Sequence, residues 1–226
     1  MDFNNKNLWI LNISGVEVWI TQTIFNTWLI MLFLILLAVI IRITLRKWKQ
    51  IPVGLQNIVE LAVDSFDNMV KGSAGEKSMG VGNWFFAIFA FILVSNLSGI
   101  VGLRPPTADW ATTIALAMAT FFLIHAVGIK HRKGKYLKSF FEPNFLFFPL
   151  NVIGELARPI SLSFRLFGNM LAGMILMSLV YSLPIYLRFV IPAVLHVYFD
   201  LFTGLLQTYI FCILSLTFIG TTASAD

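Results

Sequence analysis

The amino-acid sequence predicts an all-α integral membrane protein that crosses the bilayer five times. Four stretches lack Asp, Glu, Lys and Arg, and each runs to about 18 residues or more, enough for a helix to cross the hydrocarbon core; they are Ile24–Ile41, Trp84–Leu103, Trp110–Ile129 and Leu166–Leu187. A fifth stretch, Phe189–Ala225, holds a single charged residue, Asp200. Only 12% of the residues are charged and 58% are hydrophobic, whereas a soluble domain has about 25% charged residues. We therefore treat residues 1–226 as one membrane domain.

The basic residues predict how the chain lies in the membrane. They form two clusters, one after the first span and one after the third: Arg42, Arg46, Lys47 and Lys49, then Lys130, Arg132, Lys133, Lys135 and Lys138. The other two short loops hold only Arg104 and Arg188. The positive-inside rule then puts the N-terminus outside and the C-terminus in the cytoplasm. The net charge of +5 reflects this sorting and gives little support to a nucleic-acid partner.

Two segments outside the spans also have predictable roles. Residues 1–20 lack a basic region followed by a short apolar core, so we expect an outside tail rather than a cleaved signal. Residues 53–71 show polar and apolar residues at helical spacing, after Pro52. They predict an amphipathic helix on the cytoplasmic interface or against a partner. Asp109 is well placed to cap a helix that begins at Trp110.

The last two helices are predicted to be long and unusual. Residues 147–181 would form a helix of about 50 Å, well beyond a hydrocarbon core of about 30 Å. Such a helix must tilt steeply, kink at Pro159, or run along another surface. Its partner is the helix predicted over residues 193–221. Together, residues 147–221 hold most of the polar residues expected at membrane depth.

One face of the first long helix carries a polar stripe: Glu155, Arg158, Ser161, Arg165 and Asn169. An arginine at membrane depth is costly, so Arg165 is a functional candidate by default; the alternatives are a buried structural ion pair or a snorkelling side chain. Small residues lie on or beside the same face and would let another helix approach closely; they are Gly154, Ser161, Gly168 and Ala172.

The last helix repeats the pattern with Asp200 and Gln207, and His196 lies one turn before Asp200. Asp200 either pairs with Arg165 in a static salt bridge or lines an aqueous path. His125 stands alone near the end of the third span, where a structural role is expected. The chain shows no phosphate loop, nucleophile elbow or metal-ligand cluster, so we expect no cofactor, no metal and no catalysis by this chain alone.

The segment Ser161-Leu-Ser-Phe-Arg-Leu-Phe-Gly-Asn-Met-Leu-Ala-Gly173 resembles the signature of subunit a of F-type ATP synthases. The resemblance runs nearly end to end. It includes Pro52–Glu60, the Asn96-Leu-Ser segment, Pro106–Asp109 and Gln207–Phe211. It implies the stator subunit of a bacterial plasma membrane complex, with the c-subunit ring and the b-subunit peripheral stalk as partners, lipids around it, and an indirect link to the catalytic head.

The resemblance also implies residue roles. Arg165 aligns with the essential arginine that faces the ring carboxylate. Asn169, Asn96 and Gln207 match polar positions of the outside half-channel, and Ser161, Arg158 and Glu155 belong to the cytoplasmic path. Many relatives carry acids where this chain has Met174 and Gly99, so an ionisable relay on the outside path would have to be Asp200.

Three alternatives stay open. The subunit could carry sodium ions instead of protons. A secondary transporter would usually show internal repeats or broken helix pairs, and neither is evident. A membrane scaffold would hold its charges in a structural pair.

Overall fold

Helices make up most of the chain, as the sequence predicts. The computed structural model describes residues 7–13, 16–45, 54–141, 144–182, 184 and 191–224. Its α-helices are α1 Gln22–Thr44, α2 Leu55–Ala74, α3 Gly82–Leu97, α4 Trp110–Arg132, α5 Gly134–Ser139, α6 Phe148–Val180, α7 Ile191–His196 and α8 Gly204–Ser224.

Five helical segments are long and apolar enough to cross a membrane, which confirms the five-span prediction. They are Gln22–Thr44, Ser78–Val101, Trp110–Arg132, Phe145–Val180 and Ile191–Ala223. The segments Gln22–Thr44 and Trp110–Arg132 extend beyond their charge-free runs, because polar and charged residues at the helix ends continue the helix. The long helix predicted over residues 147–181 is observed as α6. Of the cationic residues in the sequence argument, Arg46, Lys47, Lys49 and Arg188 lie outside the described residues, as does Pro52.

The N-terminal segment contains a β-hairpin that the sequence analysis did not predict. Strands β1, Asn7–Ile13, and β2, Val16–Thr21, pair antiparallel. Both are rich in Val, Ile and Trp, residues that favour strands. The side chain of Thr21 then accepts a hydrogen bond from the Ile24 backbone nitrogen at 3.5 Å and caps α1. The predicted tail of residues 1–20 is therefore a structured entrance to the first span in its described part.

Helix α2 packs against the chain itself. Phe66, Val70 and Ala74 are buried in a cluster with residues of α3, α4 and α8. Leu55, Ile58 and Leu61, nearer the start of the helix, are exposed. The predicted amphipathic helix therefore has one face on its own bundle and a second, apolar face that is free to meet lipid. It begins at Leu55 and ends at Ala74, three residues beyond the predicted end.

A second buried cluster joins α6 and α8 to α3 and α4. Residues of α3, α4, α6 and α8 meet there: Ile88, Ile92, Ala117, Leu162, Leu166, Phe211 and Cys212. The prediction that Asp109 caps α4 is confirmed, because its carboxylate accepts a hydrogen bond from the Ala111 nitrogen at 3.1 Å. The contacts of the buried cluster hold α6 and α8 side by side.

The last predicted helix is not a uniform α-helix. Between α7 and α8, residues Val197–Thr203 form a π-helix. A π-turn uses i→i+5 hydrogen bonds and occurs frequently at functional sites. Asp200 lies inside this segment, so its position relative to Gln207 departs from the regular α-helical spacing.

Candidate functional site

Helix α6 has a buried face and an outward face, and the charged residues lie towards the outward side. Leu162, Leu166 and Met170 are buried at spacings of four residues. Ser163 is also buried and its hydroxyl lies 3.1 Å from that of Thr113 on α4. Arg165 lies outside this buried set and is exposed. The packing of α6 thus directs Arg165 away from the bundle.

Arg165 makes no hydrogen bond or ion pair within the described part of the chain. In particular, the alternative of a static salt bridge between Arg165 and Asp200 is not observed, because Asp200 pairs with His196 instead. An exposed arginine in a segment apolar enough to span a membrane needs water or a partner group. Its charge is therefore available to a molecule outside this chain.

Two cavities open at opposite ends of the bundle. Helix α4 separates these ends, since loop 98–109 precedes it and loop 133–141 follows it. At 1.5 Å per residue, α4 sets them about 33 Å apart. We call them the Arg104 end and the basic end, the latter after Lys130, Arg132, Lys133, Lys135 and Lys138.

The cavity at the Arg104 end has a volume of about 620 Å³. Its lining comes from loop 99–105, from the second half of α6 and from the α7–π-helix region: among others Gly99, Arg104, Asn169, Met174, Tyr181, His196 and Asp200. Met174 and Gly99, the two positions where the sequence analysis expects acids in related proteins, therefore both line this cavity. So does Asp200, the acid that the sequence analysis offered in their place.

A chain of three side chains runs along this cavity. The Tyr181 hydroxyl lies 3.0 Å from Nε2 of His196. Nδ1 of the same imidazole lies 2.5 Å from Oδ2 of Asp200. A Cβ atom added at Gly99 would lie 3.0 Å from Oδ1 of Asp200. The carboxylate of Asp200 therefore occupies the space into which a side chain at position 99 would project.

Asn169 and Gln207 meet on the inner side of this cavity. The Asn169 amide donates a hydrogen bond to Oε1 of Gln207 at 2.6 Å. Gln207 is only 3% exposed, and its Nε2 finds no acceptor among the described residues. Because a buried amide N–H without an acceptor is costly, this donor marks a position where water or a partner group can bind. The two predicted residues are thus brought together.

Asn96 lies apart from the cavity lining. It is fully buried, and its amide donates to the Gly204 carbonyl at 3.1 Å and to the Thr208 hydroxyl at 3.2 Å. Its carbonyl oxygen accepts from the Thr107 hydroxyl at 2.8 Å. These three bonds tie α3 and the Pro106–Ala108 turn to the start of α8. The geometry gives Asn96 a positioning role beside the site.

The cavity at the basic end has a volume of about 430 Å³ and reaches the first half of α6. Glu155 and Arg158 line it together, and Nη1 of Arg158 lies 2.8 Å from Oε1 of Glu155. The Arg158 guanidinium also lies over the Phe218 ring, 4.9 Å from its centre. Two of the three residues expected on the cytoplasmic path, Glu155 and Arg158, therefore meet at the opposite end from Asp200.

Tyr136 and Arg132 complete the polar wall of this second cavity. Burial, and secondarily the charge of Glu155, raises the pKa of Tyr136 above its ordinary value of 10.0, although Arg158 and Arg132 oppose the shift. Tyr136 therefore stays a neutral hydroxyl over the physiological range and offers a proton donor beside Glu155.

No described residue covers the stripe of small residues on α6. Ser161 and Ala172 are exposed, and an added Cβ at Gly154 or at Gly168 would have nothing within 4 Å. These positions share the outward side of α6 with Arg165. A second helix could therefore approach the backbone of α6 next to the guanidinium.

Sequence reasoning missed Tyr181 and Tyr136 as site residues and gave His196 no role. The spacing of His196 and Asp200, one helical turn, was the available signal for their pairing. The tyrosines gave none, because each comes from the end of a different helix and reaches the site only through the tertiary fold. His125 binds the Phe121 carbonyl, 3.0 Å from its Nδ1, which agrees with the structural role expected for it.

The sequence matches the model of a family described as ATP synthase A chain, over residues 24–220. It is 38% identical to ATP synthase subunit a of Trichlorobacter lovleyi, over 93% of this chain and 89% of that protein. It is 36% identical to ATP synthase subunit a of Geobacter sulfurreducens, over 97% of this chain and 93% of that protein. It is also 33% identical to the sodium-ion-specific ATP synthase subunit a of Propionigenium modestum, over 88% of this chain and 73% of that protein.

Proposed function

This chain belongs to the ATP synthase A chain family, and we propose that it provides the two half-channels and the essential arginine through which ion flow turns a ring of c subunits. Like its relatives it is a multi-pass membrane subunit without a catalytic site of its own. We further propose that it lies in a bacterial plasma membrane with the N-terminus outside and the basic end in the cytoplasm, as the positive-inside rule requires.

One observation carries the proposal: Arg165 lies on α6 between two cavities that open at opposite ends of the bundle. The cavity at the basic end reaches α6 as far as Arg158, and the cavity at the Arg104 end begins at Asn169. Along the helix axis these residues are about 10 Å and about 6 Å from Arg165. Each path ends before it reaches Arg165. An ion in one path must therefore move onto the ring before it can enter the other path.

The charge of Arg165 explains why the ion must make that detour. A fixed cation beside a membrane carboxylate favours the ionised form of the carboxylate, so a ring site gives up its ion as it approaches. The same cation repels any ion that tries to pass directly from one cavity to the other. Ions then cross only when they are bound to the moving ring.

The residues of the two paths follow from the cavity walls. Asp200 relays ions in the outside half-channel, and Asn169 with Gln207 passes them towards the ring. Glu155 and Arg158 serve the cytoplasmic half-channel, with Ser161 on the same helix between that cavity and Arg165. Asn96 holds α3 against α8 and so shapes the outside path without contacting the ion.

The c-ring is the proposed occupant of the outward face of α6. Support comes from the exposure of Arg165 and from the open space at Gly154 and Gly168. The exposed apolar side of α2 fits a neighbouring membrane helix of the b-subunit peripheral stalk, and through that stalk the subunit is held against the catalytic head. Lipid covers the remaining apolar surface.

The test is Arg165→Ala in the assembled complex. We expect ATP synthesis and ATP-driven pumping to be abolished while subunit assembly is retained, because the side chain makes no hydrogen bond or ion pair in the described part of this chain. Arg42→Ala is the matched control, since Arg42 lies in the last turn of α1 and outside the lining of both cavities. Pumping near the wild-type rate in Arg165→Ala vesicles would refute the central role.

A secondary transporter is the second candidate, and ring dependence separates the two. The purified subunit alone in vesicles should carry no ions, whereas the subunit reassembled with its ring should conduct. A transporter would move its substrate without the ring, and a scaffold would move nothing in either case.

A further inference from the structure

We propose that the surface between α4 and α6 binds the headgroups of anionic phospholipids. We call this surface the α4–α6 corner, and it comprises the described residues 130–141 and 144–148. The half-channel function makes no use of this surface. The inference also holds whichever way the subunit faces in the membrane, because it concerns the leaflet that the basic end contacts.

The α4–α6 corner lies at the membrane surface because it joins two spans. Helix α4 ends at Arg132, and the next apolar segment long enough to span begins at Phe145. At 1.5 Å per residue, α4 measures about 33 Å, close to the thickness of a hydrocarbon core of about 30 Å. The end of α4, the short helix α5 and the start of the next span are therefore level with the lipid headgroups.

The described charges of the corner are all positive. The four lysines are exposed and the arginine is half-buried, and no side chain among the five makes an ion pair or a hydrogen bond within the described part of the chain; they are Lys130, Arg132, Lys133, Lys135 and Lys138. Glu155 lines one cavity with Arg132 but is already paired with Arg158, and Glu142 lies outside the described residues. Basic residues grouped at headgroup level attract anionic lipids.

An exposed apolar surface lies beside these cations. The rings of Phe141, Phe145 and Phe148 stack nearly parallel, with 4.6 Å between the ring centres of Phe141 and Phe148 and 5.7 Å between those of Phe141 and Phe145. Phe145 is 73% exposed, and its neighbour Leu146 is 81% exposed. Basic side chains next to exposed aromatic and leucine side chains are typical of a segment that lies in the headgroup region.

The backbone at Lys133 favours glycine, yet the residue is a lysine. Lys133 is the one described residue other than glycine with a positive φ, +49°, and its ψ is −127°. Side chains are rare in that region because the Cβ atom is crowded by the backbone. The turn is held by its own hydrogen bonds, since the Lys133 nitrogen donates to the Ile129 carbonyl at 2.9 Å and the Tyr136 nitrogen donates to the Lys133 carbonyl at 3.2 Å. The turn does not need the lysine side chain, whereas a lipid phosphate uses its charge.

A lipid fits the corner better than a protein partner because the apolar part continues onto a span. Phe122 and Ile129, two turns apart on α4, are 64% and 50% exposed. They extend the apolar surface of Phe145 and Leu146 from the headgroup level into the hydrocarbon core. An anionic phospholipid matches both parts at once, because its phosphate binds the lysines and its acyl chains cover the apolar side chains.

The test places a photoreactive probe at the corner in the complete ATP synthase complex. The probe is Leu146→benzoylphenylalanine, and the vesicles contain equal amounts of dioleoyl-phosphatidylglycerol and dioleoyl-phosphatidylethanolamine. After irradiation, mass spectrometry of the digested subunit measures the adducts with each lipid. One basic residue near an anionic lipid surface changes association about fivefold. We therefore expect the phosphatidylglycerol adducts to exceed the phosphatidylethanolamine adducts by about fivefold or more.

Lys133→Gly, combined with the probe, separates charge from fold. It should assemble as well as the wild type, because glycine suits this turn, yet lower the preference for phosphatidylglycerol about fivefold. Arg42→Gln is the matched control, since it removes an exposed charge in the last turn of α1 and should leave the preference at position 146 unchanged. Leu32→benzoylphenylalanine reports the bulk bilayer, because Leu32 lies within α1 and is 58% exposed, and it should label the two lipids equally.

Several outcomes would overturn the inference. These are equal labelling of the two lipids from position 146, an unchanged preference in assembled Lys133→Gly, and a loss in Arg42→Gln as large as that in Lys133→Gly. A cross-link from position 146 to another subunit in place of lipid would also overturn it, because a protein would then cover this surface. If Lys133→Gly fails to assemble, Lys135→Gln decides, and an unchanged preference in that variant overturns the inference. The role of Arg165 is tested separately, by pumping.

Discussion

An acid introduced at position 99 would compete with Asp200 for one place in the cavity at the Arg104 end. The Cβ atom of a side chain at 99 would lie 3.0 Å from Oδ1 and 3.1 Å from Oδ2 of Asp200. The carboxylate of Gly99→Asp would therefore fall within about 4 Å of that of Asp200, and two unit charges at this separation repel by about 4 kcal/mol at an effective dielectric constant of 20. That energy corresponds to a factor of roughly 1,000 in an equilibrium constant.

We expect this repulsion to disable the relay. Either the two acids hold one proton between them, or Asp200 leaves His196. The assay is ATP-driven proton pumping by the complete complex, measured across pH. Gly99→Asp should pump far more slowly than wild type. The double variant Gly99→Asp/Asp200→Gly should recover most of the rate, because it keeps one acid in the same space.

The matched control separates charge from size. Gly99→Asn adds a side chain of the same shape without the charge, so it should be impaired much less than Gly99→Asp. Equal loss in the two variants would show that crowding, not charge, is responsible. A double variant no better than Asp200→Gly alone would refute the idea that the acid can be supplied from either position.

Three further predictions concern other parts of the chain. Met174→Glu should assemble and retain measurable pumping, because Met174 lines the outside cavity; loss of the assembled complex would show that this wall must stay apolar. Gly220→Ala should lower stability by about 1–3 kcal/mol in thermal unfolding of the detergent-solubilised subunit, because its Cβ would strike the backbone of Ser73, whereas Gly72→Ala, with open space around it, should not. Asp109→Ala should cost about 1 kcal/mol in the same assay through the lost cap, and an unchanged unfolding temperature would contradict this.

The sequence predicts the spans well because the bilayer imposes a simple rule on composition. A stretch without charges and long enough to cross the hydrocarbon core has little alternative to a helix. The cap at Asp109 and the polar stripe around Arg165 depend on residues close in sequence. All of these follow from local spacing, and the structure places them as expected.

The parts that could not be predicted depend on distant contacts. The family resemblance matched Asn96 to a polar position of the outside half-channel, but its hydrogen-bond partners are 11 to 112 positions away and only the fold reveals them. The π-helix leaves no signal in a pattern read with a period of 3.6 residues. The β-hairpin is too short to stand out beside the spans. Each cavity is lined by residues from three or four segments that are far apart in the chain. No local sequence pattern therefore predicts a cavity.

The position of Arg165 between the two cavities also decides how tightly the direct path is closed. An ion that moved straight from Asn169 towards Arg158 would pass within about 6 Å of the arginine, where two unit charges repel by about 3 kcal/mol at an effective dielectric constant of 20. A membrane potential of 100 mV supplies about 2.3 kcal/mol per charge. The barrier therefore exceeds the drive even before the ion loses any water. In the proposed function, a carboxylate on a partner's helix changes the balance, because it forms a neutral pair with the ion and carries it away from Arg165. Coupling by this proposal needs no moving gate in the subunit, only Arg165, which is unpaired among the described residues and which both paths must avoid.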